Sequence, residues 1–367
     1  MMGRLLSAVV VVVAGMEHRR AEPTARHGGR RLRTDERAAY DGGDHRRLDH
    51  RSQPEEGAMD LDPGTSATPA QRVVLGHLVG DALGVPYEFH APDELPEVID
   101  MQPPAGFHRA HRGTPCGTWS DDGALMLAVA DNLLTHGGRI EATGLATSMV
   151  DWMRRGRFTP DGRVFDIGGT TRRALRRVGR RAPERCGDTS RRSNGNGSLM
   201  RTAPLAVLHR GTDQELLDDA CLQSRITHAH PISQACCALH ALWGRRMARG
   251  DDAGRAWDTA VSDTLDGLAA DLRASLTEAL AQDWVPGSGY VVASLQAARR
   301  LVIGSRSYRD AVIGAIRLGD DTDTTACITG AYAALALDEL PPAEWLGQLR
   351  TSPELERILE AAGTVSP

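Results

Sequence analysis

The stretch GDDTDTTACITGAYAALALD, residues 319–338, joins a dense group of acidic and hydroxyl side chains to an almost wholly apolar run. Three aspartates and three threonines occupy the six positions from Asp320 to Thr325. The residues that follow are small and apolar at three- and four-residue steps, which predicts a buried helix. Burial makes each carboxylate charge costly, and neighbouring carboxylates repel one another. A solvated helix cap, an arginine partner or a metal ion must therefore offset this cost.

Similar helical periodicity fills most of the chain from Pro69 onwards, and alternation typical of strands is almost absent. Aromatic residues make up only 4% of the sequence. The sequence therefore predicts an all-α fold, a single compact helical domain over residues 67–367 in which polar loops converge on one site. The helical segments include RVVLGHLVGDALG, ALMLAVADNLL, LATSMVDWMRRG, GTTRRALRRV, ISQACCALHALWGRRMA and YVVASLQAARRLV.

Residues 1–66 differ from the rest and are predicted to be a disordered or misassigned N-terminal extension. An apolar run, residues 5–15, is too short to span a bilayer and lacks a convincing cleavage site after it. An Arg-, His-, Asp- and Gly-rich tract follows and cannot form a core. Met59 offers a second start, although a genuine export signal remains an open alternative.

Composition excludes several classes of protein. The formal net charge of -5 gives no reason to expect specific nucleic-acid or membrane binding. The sequence has no lysine, which excludes a Schiff-base lysine and the lysine of a P-loop. Six cysteines without zinc-site spacing indicate reduced thiols in a cytoplasmic protein.

Three glycines, Gly76, Gly80 and Gly84, recur every four residues in the first predicted helix. Each glycine costs a helix roughly 1 kcal/mol relative to alanine, so the ridge predicts that another helix approaches closely. Packing alone does not explain two carboxylates in the same region, Asp81 and Glu88.

Two acidic clusters share one design, in which carboxylates and a hydroxyl stand directly before an apolar helix. Helix capping explains either cluster taken alone. Together they supply hard oxygen ligands that suit Mg²⁺, Mn²⁺ or Ca²⁺ better than zinc. Four carboxylates that must ionise together are most easily held by two divalent ions. The first cluster is Ser120, Asp121 and Asp122, and the second is Asp321, Asp323 and Thr324.

Five blocks of the sequence resemble the signature blocks of the ADP-ribosylglycohydrolase family and occur in the same order. This family includes the enzyme that reactivates dinitrogenase reductase. The resemblance extends over residues 75–337. It implies an all-α fold with a binuclear Mg²⁺ centre, Mn²⁺ being the alternative, that cleaves the bond between ADP-ribose and an acceptor. The blocks are GHLVGDALGVPYE, WSDDGALML, NGNGSLMRTAPLAV, THAHPISQACCALHALW and GDDTDTTACITGAYAAL.

Site residues follow from matching these blocks. Both clusters correspond to the family's metal ligands, namely Ser120, Asp121, Asp122, Asp321, Asp323 and Thr324. The resemblance implies catalytic roles for Glu88, Asp122 and Asp321, with the acid and base roles left open. It implies contacts with ADP-ribose for Asn196, Gly197, Ser198 and His228. Without the neighbouring blocks, NGNGS is better explained as an ordinary tight loop and His228 as a structural histidine.

The chain departs from the family pattern at three positions. Ser120 replaces a threonine but keeps the hydroxyl, and Gly123 replaces a threonine and is not counted as a ligand. Asp320 replaces a glycine and either alters metal affinity or faces solvent. Arg201 lies in a matching block, where it either attracts phosphate or pairs with a structural carboxylate.

These observations predict a Mg²⁺-dependent hydrolase that removes ADP-ribose from a modified protein side chain, with arginine as the default acceptor. Three alternatives remain open. One is hydrolysis of a small ADP-ribose conjugate or nucleoside, and another is an ADP-ribose-binding module without turnover. The third is an unrelated all-α two-metal phosphohydrolase.

Overall fold

The computed structural model describes residues 67–365, so the predicted extension, residues 1–66, lies outside the described residues. Within residues 67–365 the chain forms fourteen α-helices and no β-strand, and the all-α prediction is confirmed. The helices are α1 (Pro69–Gly84), α2 (Asp121–Thr135), α3 (Ala142–Arg155), α4 (Gly169–Leu175), α5 (Ala203–Leu208), α6 (Asp213–Arg225), α7 (Pro231–Ala248), α8 (Ala253–Gly267), α9 (Ala270–Ala281), α10 (Val291–Gly304), α11 (Tyr308–Ile316), α12 (Thr322–Ala336), α13 (Ala343–Leu346) and α14 (Pro353–Gly363).

Local sequence signals explain where several helices begin and end. Helix α1 begins with a capping box, in which Thr68 and Gln71 bond each other's backbone amides, and with Pro69 at its first position. The segment GTTRRALRRV was predicted to be helical throughout, but α4 ends at Leu175. The chain turns directly afterwards, through Gly179 at a φ of 85°.

Helices α1 and α12 pack along the glycine ridge. A Cβ atom on Gly76 would lie 2.5 Å from the carbonyl oxygen of Gly330, and one on Gly80 would lie 2.4 Å from that of Ala326. A Cβ atom on Gly84 would lie 2.4 Å from the Cα atom of Asp323. The predicted close approach is therefore confirmed, and it brings the end of α1 against the start of α12.

Helix α7 supports α12 from another side. Trp243 on α7 contacts Tyr332 on α12 edge-on, with 5.3 Å between ring centroids, and His240 stacks on the same tyrosine at 4.2 Å. All six cysteines are free, and five of them are buried. Across residues 67–365, none of the helices combines the length and hydropathy that a membrane span requires. The packing holds α12 between α1 and α7, and so fixes the position of its acidic first turn.

Candidate metal centre

The start of α2 is held by a carboxylate from α1. Asp81 accepts hydrogen bonds from the backbone amides of Ser120, at 2.9 and 3.1 Å, and Gly123, at 2.7 Å. Ser120 is the N-cap, and its Oγ accepts from the Asp122 amide at 3.2 Å. Asp81 thus fixes the turn that carries the first acidic cluster. The sequence pattern did not explain Asp81 and did not predict this role for it.

The start of α12 is held differently. Asp321 occupies the N-cap position but makes no side-chain capping bond. Its Oδ2 instead accepts a hydrogen bond from Asn196 Nδ2 at 2.7 Å. Thr322 Oγ1 donates to the carbonyl of Gly84 at 2.9 Å, which ties this turn to the end of α1. Capping therefore explains Ser120, but it does not explain the acidic residues of the second cluster.

The two clusters meet. Thr324 Oγ1 and Ser120 Oγ each donate to Asp122 Oδ2 at 3.2 Å. The other oxygen of this carboxylate, Oδ1, is buried without a hydrogen-bond partner, and so is Oδ2 of Asp323. Single oxygens of Asp81, Asp122 and Asp323 lie within 4.8 Å of one another, as do those of Glu88, Asp321 and Asp323. The helix starts therefore place buried carboxylates side by side, and two of these carboxylates each have an unpaired oxygen.

The electrostatics of this region are strongly unfavourable without a cation. None of the ion pairs within residues 67–365 includes Asp121, Asp122, Asp321 or Asp323. Burial, reinforced by the neighbouring carboxylates, raises the pKa of Asp121, Asp122 and Asp323 well above the ordinary value. No arginine in this part of the chain forms an ion pair with these carboxylates, and helix capping explains the first cluster only in part and the second not at all. Unpaired oxygens in an all-oxygen donor set fit a hard divalent metal ion.

A second group of titratable side chains lies beside the clusters. His111 Nε2 is hydrogen-bonded to Glu88 Oε2 at 2.5 Å and lies 3.9 Å from Asp166 Oδ1. Burial, followed by the charges of Asp166 and Asp321, raises the pKa of Glu88 to about 10. Burial, followed by Asp321, raises that of Asp166 to about 7. Both acids can therefore hold a proton near neutral pH.

The sequence predicted Glu88 but missed its two partners. His111 and Asp166 lie in irregular loops, at left-handed φ angles of 47° and 56°, and no periodic pattern points to them. The available signal was an acidic residue placed directly before the small, polar start of α4, in the segment DIGGTT.

A cavity of about 580 Å³ opens above these groups. Its walls come from Glu88 and Phe89 after α1, the starts of α2, α4 and α12, and the loops around residues 195–197 and 289. Such a volume suits a small-molecule site. Among the predicted site residues, the cavity is lined by Glu88, Asp121, Asn196, Gly197, His228, Asp321 and Thr324. Ser120, Asp122 and Asp323 lie behind this wall, where Asp122 bonds to Thr324.

The NGNGS loop and His228 form one side of the cavity. A Cβ atom on Gly197 would lie 2.9 Å from Cε1 of His228, so the close approach requires glycine. Arg201 donates to Thr227 Oγ1 at 2.9 Å, and the same hydroxyl is hydrogen-bonded to His228 Nδ1, also at 2.9 Å. Burial lowers the pKa of His228 to about 3. The ring is therefore neutral.

Two residues around this loop, Ser198 and Arg201, have structural surroundings. Ser198 does not line the cavity, and its hydroxyl accepts from Ser224 Oγ at 2.9 Å in the interior. Arg201 is fully buried and donates to the carbonyls of Gly197 and Gln223, each at 2.8 Å. It contacts neither a phosphate site nor a carboxylate, contrary to both alternatives drawn from the sequence. Arg201 instead supports the loop from behind.

The departures from the family pattern have structural explanations. A Cβ atom on Gly123 would lie 2.6 Å from Leu78 Cδ2, so this position excludes a threonine and cannot supply a ligand. Asp320 is exposed at the cavity mouth, where its backbone pairs with Phe89 at 2.7 Å and His90 at 2.8 Å. Ser120 keeps the hydroxyl contact with Asp122.

Comparisons with known proteins agree with this geometry. A family model described as ADP-ribosylglycohydrolase matches residues 65–366. The chain is 31% identical over 299 residues to the ADP-ribosylarginine hydrolase Tri1 of Serratia proteamaculans (strain 568), covering 81% of this chain and 80% of that protein. It is 28% identical over 310 residues to the ADP-ribosyl-dinitrogen reductase glycohydrolase of Rhodospirillum rubrum, covering 78% and 92%. A solved structure, titled ADP-ribosylglycohydrolase-related protein complex, superposes with a TM-score of 0.63 at 26% identity, covering 80% of this chain and 96% of that one.

Proposed function

Because the chain belongs to the ADP-ribosylglycohydrolase family, whose members hydrolyse glycosidic bonds, we propose that it removes ADP-ribose from modified arginine side chains of proteins. Two relatives, 31% and 30% identical, are named ADP-ribosylarginine hydrolases, which supports arginine as the acceptor. The free thiols favour a reducing compartment, and we propose that the enzyme acts in the cytoplasm.

One observation carries the proposal. Two helix starts bring the carboxylates of Asp122 and Asp323 together behind the wall of a cavity of about 580 Å³, and one oxygen of each, Oδ1 of Asp122 and Oδ2 of Asp323, is unpaired. A buried charge in this state needs a partner. An acidic centre beside a cavity of this size is what cleavage of a ribosyl bond requires, because the oxocarbenium-like transition state is stabilised by nearby negative charge.

The donors for two Mg²⁺ ions, or Mn²⁺ as the alternative, would be Ser120, Asp121, Asp122, Asp321, Asp323 and Thr324. Bound there, such ions would supply positive charge and Lewis-acid polarisation next to the ribose hydroxyls. Asp81 would remain outside this set, because both its oxygens already accept backbone hydrogen bonds.

Glu88 and Asp166 would exchange protons during cleavage. Both line the cavity, and both have a raised pKa, to about 10 and about 7. The pair thus provides a proton donor and a proton acceptor for water attack and departure of the acceptor nitrogen. Asn196 would hold Asp321 in place through its 2.7 Å hydrogen bond, and His228 would contact the substrate from the cavity wall.

The test is release of free ADP-ribose from an arginine-ADP-ribosylated protein, with Mg²⁺ or with EDTA. We expect release only with Mg²⁺, and none from an Asp323→Asn variant. Release that continued in EDTA would contradict the metal requirement. Activity confined to ADP-ribosylarginine, with none on the protein, would favour a small conjugate as the substrate. Absence of activity on both would overturn the proposed function.

A further inference from the structure

A strongly basic surface lies outside the site described above. Residues 169–192 contain nine arginines and two acidic residues, in a chain whose formal net charge is -5. Seven of these arginines are exposed and form no ion pair within residues 67–365. We call them the arginine surface: Arg172, Arg173, Arg176, Arg180, Arg181, Arg185 and Arg192.

The segment that carries the arginine surface is attached to the cavity wall at both ends. At its start, Thr170 and Thr171 on α4 line the cavity. Near its other end, the amide of Asp188 donates to the carbonyl of Thr227 at 3.1 Å, and Asp188 pairs with His228 in an isolated β-bridge. Arg172 and Arg173 follow directly after these lining threonines, and none of the seven arginines lines the cavity itself.

The cavity itself does not use these charges. Its lining includes several acidic side chains, among them Glu88, Asp166 and Asp321, and no arginine. Intramolecular pairing does not explain the arginines either, because they face solvent unpaired. Seven like charges in one segment repel one another, and the two acidic residues of that segment, Glu184 and Asp188, offset only part of this repulsion. Their position suits an anionic partner that stays outside the cavity.

We propose that the arginine surface binds an acidic region of the protein that carries the modified side chain. This inference rests on the proposed function. When an ADP-ribosylated side chain enters the cavity, the protein surface around that side chain must meet the rim. Guanidinium groups bind carboxylates in a bidentate manner, and a patch of one sign steers oppositely charged partners towards the site. The enzyme would thus prefer modified arginines that have acidic neighbours.

Three substrates test the preference: free ADP-ribosylarginine, a peptide with one ADP-ribosylarginine flanked by glutamates, and the same peptide flanked by glutamines. We expect kcat/KM for the glutamate peptide to exceed that for the glutamine peptide about tenfold at low salt. The ratio should approach one at about 0.5 M NaCl, because salt screens exposed charges.

A triple variant, Arg176→Gln with Arg180→Gln and Arg181→Gln, should lose the ratio and hydrolyse free ADP-ribosylarginine like the wild type. The matched control removes three exposed arginines elsewhere, by Arg255→Gln, Arg300→Gln and Arg306→Gln. Helix α10 begins beside Gly289 at the cavity, and these arginines lie near its far end, about 20 Å away. The control should keep the ratio.

The outcomes separate the two proposals. If free ADP-ribosylarginine and both peptides are hydrolysed equally well, the arginine surface has no such role and the proposed function stands. If both triple variants lost the preference for the glutamate peptide equally, net charge alone would explain that preference. The inference would then be overturned. A duplex oligonucleotide could also inhibit the wild type but not the first variant. If it did so at a concentration below the KM of the glutamate peptide, the surface would be assigned to nucleic acid. No hydrolysis of any substrate would overturn both proposals.

Discussion

Thr324 Oγ1 donates a hydrogen bond to Asp122 Oδ2 at 3.2 Å, and so joins the first turns of two helices whose residues are 202 positions apart. Ser120 Oγ donates to the same oxygen, which leaves Oδ1 of Asp122 buried and unpaired. A buried polar atom without a partner costs roughly 1–3 kcal/mol, and more when it is charged. The junction of α2 and α12 should therefore be stabilised by any cation that reaches this oxygen.

Asp323→Asn should abolish that stabilisation. The wild type should show a rise in Tm on addition of Mg²⁺, because a ligand that binds only the folded state stabilises it. The variant should show little rise, and its ADP-ribose release should fall on the order of a hundredfold or more. Differential scanning fluorimetry and a product assay would measure both. Asp320→Asn, at an exposed neighbouring position, is the control and should retain both properties. An unchanged Mg²⁺ response in Asp323→Asn would remove this carboxylate from the metal centre.

The effect of Mg²⁺ should grow with pH. Burial and neighbouring carboxylates raise the pKa of Glu88 to about 10, and burial raises those of Asp81 and Asp166 to about 7. At these three groups the folded, metal-free protein therefore binds more protons than the unfolded chain above about pH 4, so their contribution to stability falls as pH rises through 7. A bound cation favours the ionised forms, so binding displaces protons.

We expect the difference in Tm between Mg²⁺ and EDTA to increase from pH 6 to pH 8, on the order of 5 °C. The unfolded chain also protonates its histidines near pH 6.5, whereas burial lowers the pKa of His77 and His240 in the folded protein to about 3. Protonation of these histidines on unfolding changes Tm equally with Mg²⁺ and with EDTA. The difference in Tm between the two buffers therefore reports on the acidic centre alone. A difference that stayed flat or shrank with pH would show that the carboxylates are not neutralised by the metal.

The sequence predicted those parts of the fold and site that depend on local pattern. Apolar residues at helical spacing predicted the helices, and the repeat of Gly76, Gly80 and Gly84 predicted the close packing that the structure has. The acidic pairs predicted the junction because each stands at the start of a helix, where the backbone holds its carboxylates in a fixed direction.

Other features depend on contacts that no local pattern records. His111 and Asp166 come from irregular loops and meet Glu88 only in the folded chain. Ser198 and Arg201 lie in a matching block, yet their side chains bond to Ser224, Gly197 and Gln223 in the interior. Whether a polar side chain faces the cavity or the core depends on loop geometry. The sequence pattern does not contain that information.

Gly80→Ala should destabilise the protein by about 1–3 kcal/mol, although alanine normally favours a helix. Its Cβ atom would lie 2.4 Å from the Ala326 carbonyl oxygen, a backbone atom that cannot move without separating α1 from α12. Chemical denaturation would measure the free energy of unfolding. Gly304→Ala at the end of α10 is the matched control, because its Cβ atom would meet nothing within 4 Å. Equal stabilities for the two variants would mean that α1 and α12 are not in close contact in solution.

Glu88→Gln should lower kcat by a factor of about 10² to 10⁴, the usual contribution of general acid–base catalysis, and should leave KM almost unchanged. The amide can still form a hydrogen bond with His111 but cannot transfer a proton. Because Glu88 lies outside the proposed ligand set, the Mg²⁺-dependent rise in Tm should persist in this variant. Steady-state kinetics with ADP-ribosylarginine, compared with the exposed control Glu97→Gln, would test the first point. If the Mg²⁺ response disappeared together with activity, Glu88 would be a metal ligand alongside Asp321 and Asp323, whose oxygens lie within 4.8 Å of its own.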